Sequence, residues 1–232
     1  LPMKYLTPLL FSALASATAF AASSTYTGAN KTGNAAQNWN TTAAWEGGIV
    51  ASGAGYTATI SRAAWTGNQT ITNNSALVIG NLIFTGSQSS TGGALGAAYN
   101  AILTGSNTLT FNTNGNGASL LENNGYGASA ILINANVILA NDLNIKATPQ
   151  NNLGTIYNTH FSIASLSKIV NSDNSTLKTI TTLQSDITPS DPGYCRIVIA
   201  GGVEGNIAIR HNSGNRLDLR TKESSYYGGL YI

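Results

Sequence analysis

The sequence predicts an all-β chain: a right-handed parallel β-helix, or solenoid, with an N-terminal cap. Three observations carry that prediction. Beyond residue 56 the apolar residues recur in short period-2 runs, the signature of strands, while the 3.6-residue periodicity of helices is nearly absent. Turn formers of one kind separate the runs, as in Asn114-Gly115-Asn116-Gly117 and Asn123-Asn124-Gly125, where positive φ is tolerated. Asparagine also sits inside or beside the runs, at Asn112, Asn134, Asn136, Asn141 and Asn144, although ordinary sheets disfavour it. Stacked coils give such amides partners above and below, as in cross-β stacks.

Taken in order, the chain begins with an expected secretory signal over residues 1–21. Lys4 precedes an apolar stretch from Tyr5 to Phe20, and Ala19-Phe20-Ala21 supplies the small-x-small pattern of a cleavage site. The cut is placed after Ala21, with Ala22 as the alternative. A retained membrane-spanning helix fits less well, because the segment is short and rich in Ala, Ser and Thr. Residues 22–56 are assigned to the cap. Trp39, Trp45 and Trp65 fall in the N-terminal third, where their expected role is to plug the first coil; carbohydrate stacking is the alternative.

The strand runs follow over 57–232. The clearest are Thr57-Ala58-Thr59-Ile60, Leu77-Val78-Ile79, Leu82-Ile83-Phe84, Leu109-Thr110-Phe111, Ala130-Ile131-Leu132-Ile133, Val137-Ile138-Leu139 and Leu143-Asn144-Ile145. Later ones are Phe161-Ser162-Ile163, Ile197-Val198-Ile199, Ile207-Ala208-Ile209 and Leu217-Asp218-Leu219. Each is shorter than a typical sandwich strand. A coil of about 22 residues, stacked at about 4.8 Å, predicts a rod roughly 40 Å long. No coil buries its own apolar residues, so stability must come from its neighbours. The chain stops at Gly228-Gly229-Leu230-Tyr231-Ile232, inside an expected strand, which points to a fragment of a longer protein or a short relative lacking an export domain.

Composition narrows the function classes. Charged residues are 9% of 232, against roughly 25% in soluble domains, and the formal net charge is +2. Coiled coils, acidic tails and electrostatic nucleic-acid binders all need more charge. No later stretch has the 18 or more apolar residues of a membrane span, so no transmembrane segment is expected in the mature chain. Cys195 is the single cysteine and forms no internal disulfide framework; it reads as a small buried hydrophobe.

The order of several motifs resembles the passenger regions of bacterial autotransporter-type proteins carrying the autotransporter-associated β-strand repeat. Asn38-Trp39-Asn40 is followed by Trp45-Glu46-Gly47-Gly48, then by Ala58-Thr59-Ile60 and Gly80-Asn81-Leu82-Ile83-Phe84. Thr108-Leu109-Thr110-Phe111 and the stretch from Ala130 to Ile145 follow, and Tyr226-Tyr227-Gly228-Gly229-Leu230-Tyr231-Ile232 matches the end of the repeat. The chain departs from the family at Asn215-Arg216-Leu217-Asp218-Leu219-Arg220, where Gly-Thr-Leu-Thr-Leu is usual. The resemblance implies a secreted or cell-surface, outer-membrane-associated β-helix of structural or adhesive role. It also implies export by a translocator outside this chain, and carries over no catalytic residue.

Residues able to do chemistry are few. His160 and His211 are far apart, and no close set of zinc ligands is present. Asn171-Ser172-Asp173-Asn174 offers oxygens on a turn, a weak calcium pattern that reads better as a solvated corner. The enzymatic alternative is a β-helical polysaccharide lyase or glycoside hydrolase. It would draw on Asp186, Asp191, Glu204 and Asp218, with Arg196, Arg210 and Arg216 as partners, and hydrolysis needs two facing carboxyls. A self-associating fibre subunit is the third reading, because an open sheet edge invites stacking. The expectation is a non-enzymatic chain with no catalytic, cofactor-binding or metal-binding residue assigned. Its expected partners are a cell-surface or carbohydrate ligand and a C-terminal translocator or further repeats, and not nucleic acid.

Overall fold

The computed structural model of the chain describes residues 21–86, 100–124, 130–148, 151–152, 155–156, 159–164, 166–183, 195–212, 216–220 and 225–232. Residues 1–20 of the expected 1–21 signal, Gly125, Asp186, Asp191 and Asn215 lie outside them. The described residues are almost wholly strand and corner, with two short 3₁₀ segments, Thr42–Ala44 and Glu46–Gly48. They form a 13-stranded sheet, a seven-stranded sheet and a small antiparallel ribbon of Asn151–Asn152 with Thr155–Ile156. Every strand pairing within the two large sheets is parallel.

The strands fall into three stacks. Stack one is the seven-stranded sheet, in the order Ala35–Asn38, Gln69–Thr72, Ala101–Thr104, Ala130–Asn134, Thr159–Ile163, Cys195–Ile199 and Arg216–Leu219. The larger sheet holds the other two, joined through the nine-residue strand Leu77–Thr85. Its first half pairs with Leu109–Phe111, and stack two continues through Val137–Leu139, Lys168–Asn171, Gly202–Gly205 and Ser225–Tyr226. Its second half lies between Gly53–Ser61 and Ser119–Asn124 in stack three, which runs from Ser24–Tyr26 to Leu143–Ala147, Lys178–Leu183, Ile207–Asn212 and Leu230–Tyr231. From Ala101 on, the chain visits stacks one, two and three in turn. Parallel neighbours need a crossover, and here the crossover is itself two strands of the other stacks.

Alternation explains what each stack buries. In stack two, Leu109, Val137, Ile169 and Val203 stand in one register column, all fully buried. In stack three the column is Ala58, Leu82, Leu121 and Ile145, and in stack one Leu103, Ile133 and Ile199 occupy the same kind of position. Each fully buried aliphatic side chain contributes about 1.5–3 kcal/mol. No single strand supplies enough of them to order itself, so neighbouring strands share the interior.

Over most of the chain the spacing between partner strands exceeds the sequence expectation of about 22 residues. Register partners on neighbouring strands of a stack lie from 20 residues apart, as Arg196 and Arg216, to 39 apart, as Asn81 and Leu120, and the last pairing of each stack comes close to the expectation. From Ala101 on, between partners of one stack the chain supplies strands to the other two stacks, so runs close in sequence belong to different stacks. Leu77-Val78-Ile79 and Leu82-Ile83-Phe84 are one continuous strand across Gly80, where a Cβ would come within 2.8 Å of the Gly55 backbone. Strands such as Gln69–Thr72 and Lys178–Leu183 escaped the apolar pattern because Gln and Thr fill their alternate positions. The expected boundary at residue 56 falls inside the strand Gly53–Ser61. Ser24–Tyr26 and Ala35–Asn38, upstream of it, already pair in register with Ala58–Ile60 and Gln69–Thr72.

Polar amides fasten the corners. Asn34 Oδ1 accepts from the Asn68 N–H at 3.1 Å, Asn68 Oδ1 from the Asn100 N–H at 2.8 Å, and Asn100 Oδ1 from the Ala130 N–H at 2.8 Å. Of the asparagines expected to form ladders, Asn136 and Asn141 do the same for Lys168 and Thr113, while Asn112 turns its own corner by accepting from the Asn114 N–H. Asn134 reaches Thr104 Oγ1 at 3.4 Å. The amides therefore bond mainly to the neighbouring backbone, satisfying corner N–H groups that no strand pairing covers. Gln37 Nε2 donating to Gln69 Oε1 is a side-chain amide step of the expected kind.

Gly105 joins Ala101–Thr104 to the next strand at φ +145°, and a Cβ there would lie 2.4 Å from the Asn73 carbonyl oxygen. Gly105→Ala is expected to destabilise the chain by at least about 1–3 kcal/mol, the range for a strained backbone position. Ser106→Ala in the same corner should stay within about 0.5 kcal/mol. Equilibrium denaturation of both variants checks the difference.

Candidate functional site

Among the described residues, the densest charge cluster stands on the outer side of stack one. Strands Cys195–Ile199 and Arg216–Leu219 pair in register, Arg196 with Arg216 and Val198 with Asp218. Ile197 and Ile199 are buried, so the pleat turns Arg196 to the opposite face. Asp218 accepts from Arg196 Nε at 2.7 Å and from Arg196 Nη2 on the same oxygen, Oδ2. Arg216 Nε donates to Asp218 Oδ1 at 2.7 Å, and Arg220 Nη2 to Oδ2 at 3.2 Å. Asp218 is mostly covered, whereas the Arg216 and Arg220 side chains are 59% and 56% exposed. Burial works against ionisation of Asp218, but the hydrogen bonds from Arg216 and Arg196 and their charges outweigh it and hold the carboxyl below its ordinary value.

The other carboxylates are held elsewhere. Glu204, on stack two, accepts from Lys168 Nζ at 2.5 Å. It lines an open hollow of about 540 Å³ with Val170, Asn174, Ser225, Tyr226 and Tyr227. Glu122, on stack three, lies 3.9 Å from Lys146 Nζ and accepts from Thr148 Oγ1 at 3.2 Å. The sequence candidates Glu204 and Asp218 thus stand on different stacks, Glu204 beside Lys168 and Asp218 among three arginines. Arg210 is apart from both and lies over the Tyr231 ring, 6.0 Å from its centroid. The second Lys–Glu pair was unreadable from sequence, because it joins two strands through a register that only the stack reveals.

The remaining candidates are separated as well. His160 stands in stack one, in register with Ala130 and Arg196, and Cys195 pairs with Thr159. His211 is in stack three, its Nδ1 2.6 Å from the buried Thr182 Oγ1. Asp173 is engaged locally: Oδ1 accepts from the Ser175 N–H and hydroxyl, and Oδ2 from Thr176. Those bonds hold its carboxyl below its ordinary value. Asn171 Oδ1 accepts from the Asp173 N–H, and its amide donates to the Thr176 and Asn206 carbonyls. The Asn171 and Asp173 side-chain oxygens are therefore engaged within the turn, that of Asn174 accepts from the Asn206 N–H, and no group of three or more His, Cys, Asp or Glu converges among the described residues.

The tryptophans form an interior cluster. Trp39, Trp45, Trp65 and Tyr26 are all buried, with Tyr26 edge-on to Trp45 at 5.2 Å and Trp39 to Trp45 at 4.9 Å. Each indole N–H meets a backbone carbonyl: Trp39 to Ala51, Trp45 to Trp39 and Trp65 to Thr27. No indole face is open for sugar stacking. Arg62 is equally buried and donates from Nη2 to Asn123 Oδ1 at 2.9 Å, spanning the strand between them. Burial lowers its guanidinium to about 10, still protonated at neutral pH.

Compared with known proteins, the chain matches no protein-family model, no curated protein and no solved structure. Among the described residues no helix is long and apolar enough to cross a membrane.

Burial pushes the Tyr26 phenol up to about 12, and its hydroxyl has no hydrogen-bond partner among the described residues. A raised acid contributes its full stability below the unfolded value, about 10, and loses it as the pH climbs toward 12. Tyr26→Phe is expected to keep or raise stability at neutral pH, since an unsatisfied buried hydroxyl costs about 1–3 kcal/mol, and to lessen the alkaline loss. Asp218 has the opposite sign: its contribution is present above about 4 and disappears as the pH falls through its lowered value. Asp218→Asn should flatten that acid limb by no more than about 1 kcal/mol, as for partly exposed ion pairs. Urea melts across pH 2–11 read both.

Proposed function

We propose that the chain winds as a right-handed parallel β-helix whose residues 22–56 close one end, and that it is exported and displayed at a bacterial cell surface. Its role there is structural or adhesive and non-enzymatic, in the manner of passengers with the autotransporter-associated repeat. The observation that carries this reading is the in-register parallel stacking of strands that visit three stacks in turn. Such a stack offers a long, repetitive, sparsely charged outer surface and concentrates no catalytic pair among the described residues. The buried Trp39–Trp45–Tyr26 cluster supports the closing role of the N-terminal region, since an open coil end exposes core and strand edges.

Expression of the full sequence in a bacterial host, followed by fractionation and N-terminal sequencing, tests the display reading. The expected product is exported and begins at Ala22 or Ser23. An uncut product confined to the cytoplasm would sink it.

A further inference from the structure

We infer that the outer side of stack one around Arg196, Arg216 and Arg220 binds an acidic polysaccharide through its carboxylates. The ion pairs on the other stacks set the contrast. Lys146 stands in register with Glu122, so opposite charges meet across neighbouring strands. Arg196 stands in register with Arg216, at a strand spacing of about 4.8 Å, and like charges directly opposite are destabilising. In a chain with 9% charged residues, this arrangement is not forced by composition.

Asp218 explains how the arginines are held, and why they remain available. One carboxylate accepts from all three guanidinium groups. That fixes their positions but leaves the cluster, among the described residues, with more positive than negative charge. Arg216 is engaged through Nε, which leaves its Nη edge without a partner among the described residues. Arg220 is engaged through Nη2 alone. Both side chains are more than half exposed. A guanidinium edge matches a carboxylate bidentately, and Arg216 and Arg220, on either side of Asp218 along one segment, present two such edges to a polymer with regularly repeated carboxylates. A nucleic acid offers oxyanions too, but its binders spread many Lys and Arg over one face, and this chain has 11 in all.

The inference rests on the display reading only for where the ligand is met, and binding to the purified chain is measured separately from export. The probe is polygalacturonate, with neutral dextran and single-stranded DNA alongside, in affinity electrophoresis and calorimetry at low salt. Polygalacturonate should bind, dextran should not, and DNA should bind more weakly. Arg216→Gln with Arg220→Gln should weaken polygalacturonate binding at least about tenfold while circular dichroism and melting stay unchanged. Arg216→Lys with Arg220→Lys should recover only part of it, because lysine keeps the charge but not the fork. Lys168→Gln, on stack two, should leave binding intact. No binding by the parent chain, equal binding after the glutamine changes, equal loss with Lys168→Gln, or tighter binding of DNA would each overturn the inference.

Discussion

Parallel strands held in register decide most of what this chain does. Register carries the inside–outside alternation from one strand to the next, so an inward position is inward throughout its stack. Leu109, Val137, Ile169 and Val203 form such a column. Neighbours in the column stand in register, and the interior belongs to no single strand. Cooperative loss of neighbouring strands is the expected consequence of disrupting one of them. The close approach of Gly80, within its strand, to Gly55 and of Gly105, at a corner, to Asn73 shows the same constraint, since neighbouring segments come too near there for a Cβ.

The same register disciplines polarity. Outward positions also repeat from strand to strand, so a charge faces whatever stands about 4.8 Å away. Uncharged Thr, Ser and Asn avoid the problem, and Glu122 opposite Lys146 solves it by complementarity. Arg196 opposite Arg216 does neither, and Asp218 is the device that makes it tolerable. Corner polarity is handled by amides such as Asn34, Asn68 and Asn100, each accepting from the backbone of the next circuit.

The all-β class and mostly parallel strands were legible because period-2 runs survive in Val137-Ile138-Leu139 and Leu143-Asn144-Ile145 even with few charges to frame them. The longer spacing between most partner strands was not. Leu82-Ile83-Phe84 and Leu109-Thr110-Phe111 look like successive coils in sequence but stand in different stacks, and nothing local marks a run as belonging to one stack or another. Strands built on Thr and Gln, such as Gln69–Thr72, hid behind their polarity, although Gln69 and Ile71 are buried. At the candidate site, Arg196, Arg216 and Asp218 were visible as chemistry-bearing residues. Their convergence needed the register between Cys195–Ile199 and Arg216–Leu219, which skips the intervening strands of two other stacks. Glu204, grouped with them in sequence, was separated by the same topology.

Spin labelling tests the stacking most directly. In a Cys195→Ser background, Thr70→Cys and Ile102→Cys place labels at positions that are in register on neighbouring strands of stack one. The account predicts strong dipolar broadening for this pair relative to each singly labelled chain. It also predicts that moving one label from Ile102 to Val78, on stack two, relieves the broadening. Two narrow, additive spectra from Thr70 and Ile102 would contradict it.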